Sequence, residues 1–194
     1  MKKFIIWVLF IIIIAGALYI FFPMIKNYST KLVEKTEFLK KDLTPVKIKI
    51  LSVNNNKINF MINIYNSRGD LISSQVNEIK GKELFLDFIV VKRDGDSLFF
   101  PEKIYSDSIP SSSGLDLTLF YESGGKPSIY AYSDEYKKIS EIYSEVKKHR
   151  QDKEAKLVYG VAIHNITEIK EIKEDDYLFF LVKPSSGGIE LQRK

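Results

Sequence analysis

The residues able to do chemistry are few and scattered along the chain. Two histidines, His149 and His164, stand fifteen positions apart, and no carboxylate falls in a metal-ligand pattern with either. His149 closes a predicted helix, where a cation suits the helix dipole, and His164 follows a predicted strand. The chain has no cysteine, which excludes disulfides, thiolate metal sites, a cysteine nucleophile and a lipid-modified cysteine. No catalytic residue, metal or cofactor is expected.

Serine offers slightly more. The run Ser111-Ser112-Ser113-Gly114 could shelter a nucleophile, but the chain has no G-x-S-x-G elbow, and each histidine is a candidate base only by elimination. Paired carboxylates for glycoside chemistry are not decided by spacing, because folding brings distant acids together. Asp87 is the one polar residue within Leu84–Val91, and it is expected on the solvent face. Gly124-Gly125 and Gly187-Gly188 read as turns, not as phosphate cradles.

One recurrence stands out. Pro110–Leu117 (PSSSGLDL) aligns without gaps to Pro184–Leu191 (PSSGGIEL). Two similar loops leading into similar strands would explain it. So would a pair of Ser/Gly loops lying side by side, whose backbone N–H groups and hydroxyls hold a ligand or partner. On the second reading the candidate interaction residues are Ser111, Ser112, Ser113, Gly114, Ser185, Ser186 and Gly187, with Leu117 and Leu191 buried just beyond them.

The elements that must position these loops are mostly strands. Ile58, Phe60, Ile62 and Ile64 alternate with Asn59 and Asn63, the pattern of a half-buried strand. Val46–Val53 precedes it across an Asn-rich link, so the two read as a hairpin. Further strands are expected at Leu71–Val76, Leu84–Lys92, Ser97–Phe100, Leu115–Tyr121, Ser128–Tyr132, Leu157–Ile163, Tyr177–Val182 and Ile189–Leu191. Pro101 suits an edge or a strand end. One helix interrupts the series at Asp134–Arg150. Tyr136, Ile139, Ile142, Tyr143 and Val146 form its apolar stripe, and Ser133 is a good N-cap. The fold class is therefore mainly β, sandwich-like with one amphipathic helix; the alternative is α+β, with the helix packed across an antiparallel sheet.

The net charge of +4 hints at nucleic acid until it is located. Residues 46–194 hold 22 basic and 22 acidic side chains, so the excess sits in the first 45 residues. Bases are 25 Lys to 4 Arg, whereas bidentate phosphate recognition favours Arg. A reading face for nucleic acid would concentrate positive charge, and nucleic acid is not an expected partner.

The N-terminus accounts for the excess. Phe4–Phe22 is an uncharged run of 19 residues, and at ~1.5 Å per residue it spans about 28 Å, close to the hydrocarbon core of a bilayer. Trp7 and Tyr19 suit its two interfaces. Ala15-Gly16-Ala17 resembles a cleavage site, but Leu18–Phe22 continues the apolar run past it, so an uncleaved anchor is expected. The organisation that follows is a tail at 1–3, a transmembrane helix at 4–22, a juxtamembrane stalk at 23–45 and a β-rich domain at 46–194. Lys2 and Lys3 favour an inside N-terminus and an extracytoplasmic domain. No family is recognised by motif; in layout alone the chain resembles the bitopic bridge protein of bacterial lipopolysaccharide export. The expected function is a non-enzymatic, single-pass structural or accessory subunit of a bacterial envelope that binds another envelope protein. The alternative is a tethered carrier or sensor for a lipid or other apolar ligand.

Overall fold

The computed structural model describes residues 41–93, 96–151 and 161–194. The expected anchor at 4–22, and the stalk as far as residue 40, lie outside them. No helix among the described residues is long and apolar enough to cross a membrane.

The chain is mainly β, in antiparallel sheets, with one α-helix among the described residues. Strands β1 (Leu43–Asn54), β2 (Lys57–Tyr65), β3 (Leu71–Lys80), β10 (Tyr177–Lys183) and β11 (Gly188–Arg193) form a five-stranded sheet in the order β11-β10-β1-β2-β3. Strands β4 (Leu84–Arg93), β5 (Asp96–Ser106), β6 (Leu115–Asp116) and β9 (Val161–Ile169) form a second sheet in the order β6-β5-β4-β9. A short hairpin, β7 (Glu122–Ser123) with β8 (Lys126–Pro127), precedes the helix α1 (Tyr136–Gln151).

The two-residue period explains the core. Ile58, Phe60, Ile62 and Ile64 on β2 are buried beside Val46, Ile48 and Ile50 of β1 and Leu178, Phe180 and Val182 of β10. Leu84, Leu86, Phe88 and Val90 do the same for β4, and Phe88 meets Phe180 of the other sheet with ring centroids 6.1 Å apart. Asn55 and Asn56 close the first hairpin at φ 51° and 64°, left-handed values that asparagine tolerates and a two-residue hairpin requires.

The four-stranded sheet is buried on its other face as well. Ile89, Val91, Leu98 and Phe100 lie there, and Phe100 packs on Tyr130 (5.6 Å) and on Tyr143 of α1 (4.9 Å). The expected helix stripe is buried at Ile139, Ile142, Tyr143 and Val146. The helix starts two residues later than expected, because Ser133 Oγ accepts from the Glu135 N–H (3.2 Å) within a preceding turn.

Several expected strands differ. Leu115–Tyr121 is a strand only at Leu115–Asp116 and then a 3-10 turn, Leu117–Phe120. Asp116 causes this: its carboxylate accepts from the Thr118 N–H (2.9 Å) and hydroxyl (2.6 Å), a local bond that competes with a ladder. Ser128–Tyr130 is likewise a 3-10 turn. Strand β5 runs on through Pro101 to Ser106, with a register shift against Asp87 and Phe88 that accommodates the proline. Strand β1 begins at Leu43, so Pro45 lies inside it, beside another register shift. Strand β9 extends to Ile169, while residues 157–160 of its predicted start lie outside the described residues.

Candidate interaction surfaces

Asp87 is not on the solvent face. It is 5% exposed, on the side of β4 that faces away from the five-stranded sheet, next to Tyr105 and Lys103 of β5. Its two oxygens accept from the Tyr105 hydroxyl (3.2 Å) and from Ser111 Oγ (3.1 Å). Lys103 Nζ donates to the Ser111 carbonyl at 3.1 Å. A carboxylate taken out of water must be paired and hydrogen-bonded, and the first Pro-Ser-Ser loop supplies part of that need. Burial, and then the neighbouring carboxylate, holds the Tyr105 hydroxyl above its usual range. Ser111 gives its proton to a carboxylate that is already occupied, while Lys103 faces a carbonyl and not the serine oxygen. These four groups form a latch for the loop.

The other loop residues are freer. Ser112 and Ser113 are exposed, and Gly114 is half-buried where a side chain would meet the Ile104 carbonyl at 2.9 Å. Ser185 and Ser186 are exposed, and Gly187 takes φ 71° next to Ser97 Oγ. Leu117 is buried as expected; Leu191 is only half-buried.

The two loops are not neighbours. The first is held at Lys103 of β5, and the second is held at Ser97 of the same strand, whose N–H donates to the Pro184 carbonyl at 2.9 Å. Six residues of strand separate these anchors, roughly 20 Å at ~3.3 Å per residue. The shared Pro-Ser-Ser pattern is not one surface, and its two copies turn differently: Ser111–Ser113 form a 3-10 turn, whereas Ser186 and Gly187 both donate to the Lys183 carbonyl, with Gly187 at φ 71°.

The second loop contributes to a different feature, the sealing of an edge. Beyond Ser97, Phe99 gives its N–H to the Tyr130 hydroxyl (3.0 Å), which in turn donates to the Phe99 carbonyl (3.1 Å). The Tyr121 hydroxyl donates to the Pro101 carbonyl at 2.7 Å, and Pro101 has no N–H to satisfy. Strand β6 then pairs with Lys103 and Ile104. Tyr143 is fixed in the same layer by donating to Glu122 Oε2 (2.8 Å), which Lys147 also approaches at 2.6 Å. Burial foremost holds the hydroxyls of Tyr121, Tyr130 and Tyr143 above their usual range.

Among the described residues, strand β3 has no such cover. It pairs with β2 alone. The Gly81 N–H donates to the Asn56 carbonyl, which sets the alternation: odd-numbered β3 residues bond to β2, and even-numbered ones point away. The outward backbone groups of Ser74, Val76 and Glu78 meet no described residue, while the Lys80 carbonyl accepts from Ser106 Oγ. Val76 is 66% exposed and Leu71 55%. In the sequence this strand is marked only by a weaker pattern, with Ser73, Ser74 and Gln75 between its apolar ends.

Among the described residues no group of three His, Cys, Asp or Glu could hold a metal. A pocket lined by Leu43, Tyr65, Ser67 and Tyr130 has room for about one water, some 10 Å³, and Ser67 Oγ is buried there without a partner. No known protein family, characterised protein or solved structure matches this chain.

Proposed function

We propose that this chain is a membrane-tethered, non-enzymatic accessory subunit of a bacterial envelope, and that it works by docking another envelope component onto its β-rich domain. In this reading residues 4–22 are a single-pass anchor, the domain lies outside the cytoplasm, and its two sheets are the layers of a sandwich-like fold with a helix on one outer face. The observation that carries it is the edge of β3, where the outward backbone groups of Ser74, Val76 and Glu78 meet no described residue and Val76 is exposed, whereas the outer side of β5 is sealed. An open edge of this kind is a ready template for an added strand. The carrier reading has less support, because Ile48, Phe60, Phe88 and Phe180 fill the inner faces.

The test is capture from detergent-solubilised membranes with full-length chain. The parent chain should stay in the membrane after carbonate washing and retain an envelope protein that Val76→Pro loses. Proline at Val76 removes only an outward donor, so the ladder to β2 stays intact. Equal capture by both chains would overturn the docking role of β3.

A further inference from the structure

The outer face of the five-stranded sheet, opposite the side that buries Phe180, has a composition of its own. Lys47 and Lys49 of β1, Met61 and Tyr65 of β2, and Tyr177 and Phe179 of β10 point there, in alternation with the core residues. All six are half-buried. Tyr177 and Phe179 pack ring against ring, with centroids 4.9 Å apart. Lys47 Nζ lies 4.3 Å from the centre of the Tyr65 ring and 5.5 Å from that of Phe179. Lys194, just past β11, brings its own Nζ to 5.6 Å from Phe179.

Charge on this face does not cancel. Glu78, Asp175 and Glu190 are each met by a lysine, respectively Lys57, Lys49 and Lys183, and Asp42 lies toward Lys183 as well. Lys47 and Lys194 have no carboxylate in ion-pair reach among the described residues, and both sit over rings instead. An ammonium held this way covers the ring with its stem and keeps its charge for an anion from outside. We infer that this face rests on anionic phospholipid headgroups of the bilayer that holds the chain's own anchor, with Lys47 and Lys194 at the phosphates and the three rings between headgroups. The inference rests on the anchor of the proposed function and not on the β3 edge.

Two features select a bilayer as the occupant. Lysine beside Tyr and Phe is the combination that a membrane interface takes, since the rings settle at headgroup level while the ammonium reaches phosphate. The second is the tether. Twenty residues, 23–42, separate the apolar run from β1, a reach of at most about 70 Å. The strand they feed carries Lys47 four residues past its start. The bilayer is therefore never far from this face, docking is intramolecular, and a contact of two lysines and three rings suffices.

Trp7 is the chain's one tryptophan, so a reporter can be placed on either side of the domain. Full-length Trp7→Phe chain carrying Phe179→Trp is reconstituted in phosphatidylcholine vesicles with or without phosphatidylglycerol. The control carries Leu119→Trp, which is 74% exposed beside β5. Fluorescence is read with a headgroup-labelled nitroxide lipid as quencher. With phosphatidylglycerol, quenching at Phe179→Trp should be several-fold that at Leu119→Trp. Lys47→Glu with Lys194→Glu, or phosphatidylcholine alone, should bring it down to the Leu119→Trp level. Tyr177→Trp should report the same, which guards against a Phe179→Trp chain that misfolds. Equal quenching on the two sides would mean that no face is preferred and overturn the inference, as would strong quenching that survives both glutamates. A chain that floats with the vesicles but shows no preference fails here alone and leaves the anchor standing; one that does not float loses both. If no preference is seen and Lys47→Glu loses the captured envelope protein, the face takes a protein and the inference falls.

Discussion

Strands β5 and β3 each have one side without a full-length neighbour, and the chain treats them in opposite ways. Along β5, outward groups of Ser97, Phe99 and Pro101 are met by Pro184, Tyr130 and Tyr121, and β6 takes over at Lys103. Along β3, the outward groups of Ser74, Val76 and Glu78 meet no described residue. The sealing of β5 comes from residues whose main body is apolar: Tyr121 and Tyr130 bury a ring against the sheet and offer a hydroxyl at its rim. The layer that covers the four-stranded sheet thus protects its edge in the same step. Among the described residues no such layer reaches β3, and the ladder there stays open.

The comparison can be broken at its sealed side first. Tyr130→Ala removes a buried ring from Phe100 and leaves both polar groups of Phe99 bare, and should cost about 3–5 kcal/mol in urea unfolding. Tyr130→Phe keeps the ring and should cost about 1–3 kcal/mol. A Tyr130→Phe chain as stable as the parent would mean that the hydroxyl seals nothing. Ile142→Ala tests the helix that holds this layer down, and its buried position sets an expected loss of about 2–5 kcal/mol.

Alkali provides a third probe of the sealed side. The hydroxyls of Tyr121, Tyr130 and Tyr143 are raised in the folded chain, chiefly by burial. Unfolded tyrosine ionises near ~10, so their contribution is fully present below that pH and is lost as pH rises above it. The loss should reach about 1.4 kcal/mol per pH unit for each tyrosine that ionises only on unfolding. The share of the tyrosinate absorbance that belongs to these three should therefore rise together with the loss of circular dichroism, after the exposed tyrosines such as Tyr132 have ionised. A full rise while the sheet signal persists would show that the hydroxyls are open to solvent.

The smallest effects belong to the unsealed side and the loops. Val76→Thr, Ser112→Ala, Ser185→Ala and Ser186→Ala should each stay within about 0.5 kcal/mol of the parent. Ser111→Ala should not, because it removes a bond to the buried Asp87 carboxylate and should cost about 1.5–3 kcal/mol. The contrast between Ser111 and Ser112 separates a latch from a free loop by one residue.

Much of the framework could be read in advance, and the failures share a cause. The alternation in β2, the apolar run of β4 and the stripe of α1 report burial, and burial is what periodicity encodes. Leu115–Tyr121 also alternates, yet Asp116 diverts it with a side-chain bond whose energy no pattern of apolar residues contains. Asp87 was expected in solvent because a lone acid in an apolar strand has no visible partner. Its partners are Tyr105, eighteen residues on, and Ser111, twenty-four residues on, and they come together only once β4 and β5 pair. The loop recurrence left two readings open for the same reason: likeness in sequence does not say where two loops lie. The open edge of β3 was the least legible feature, since an edge is a property of strand order.

The position of β1 has a mechanical meaning. It begins at Leu43 and lies between β10 and β2, bonded on both sides. A pull along this strand from its N-terminal end loads two ladders in shear, so many bonds share the strain and must slip together. A strand entering at a sheet margin would instead open one bond at a time, like a zip. If the first residues hold the chain to a membrane while a partner holds the domain, the tension between them enters the fold through its most resistant strand.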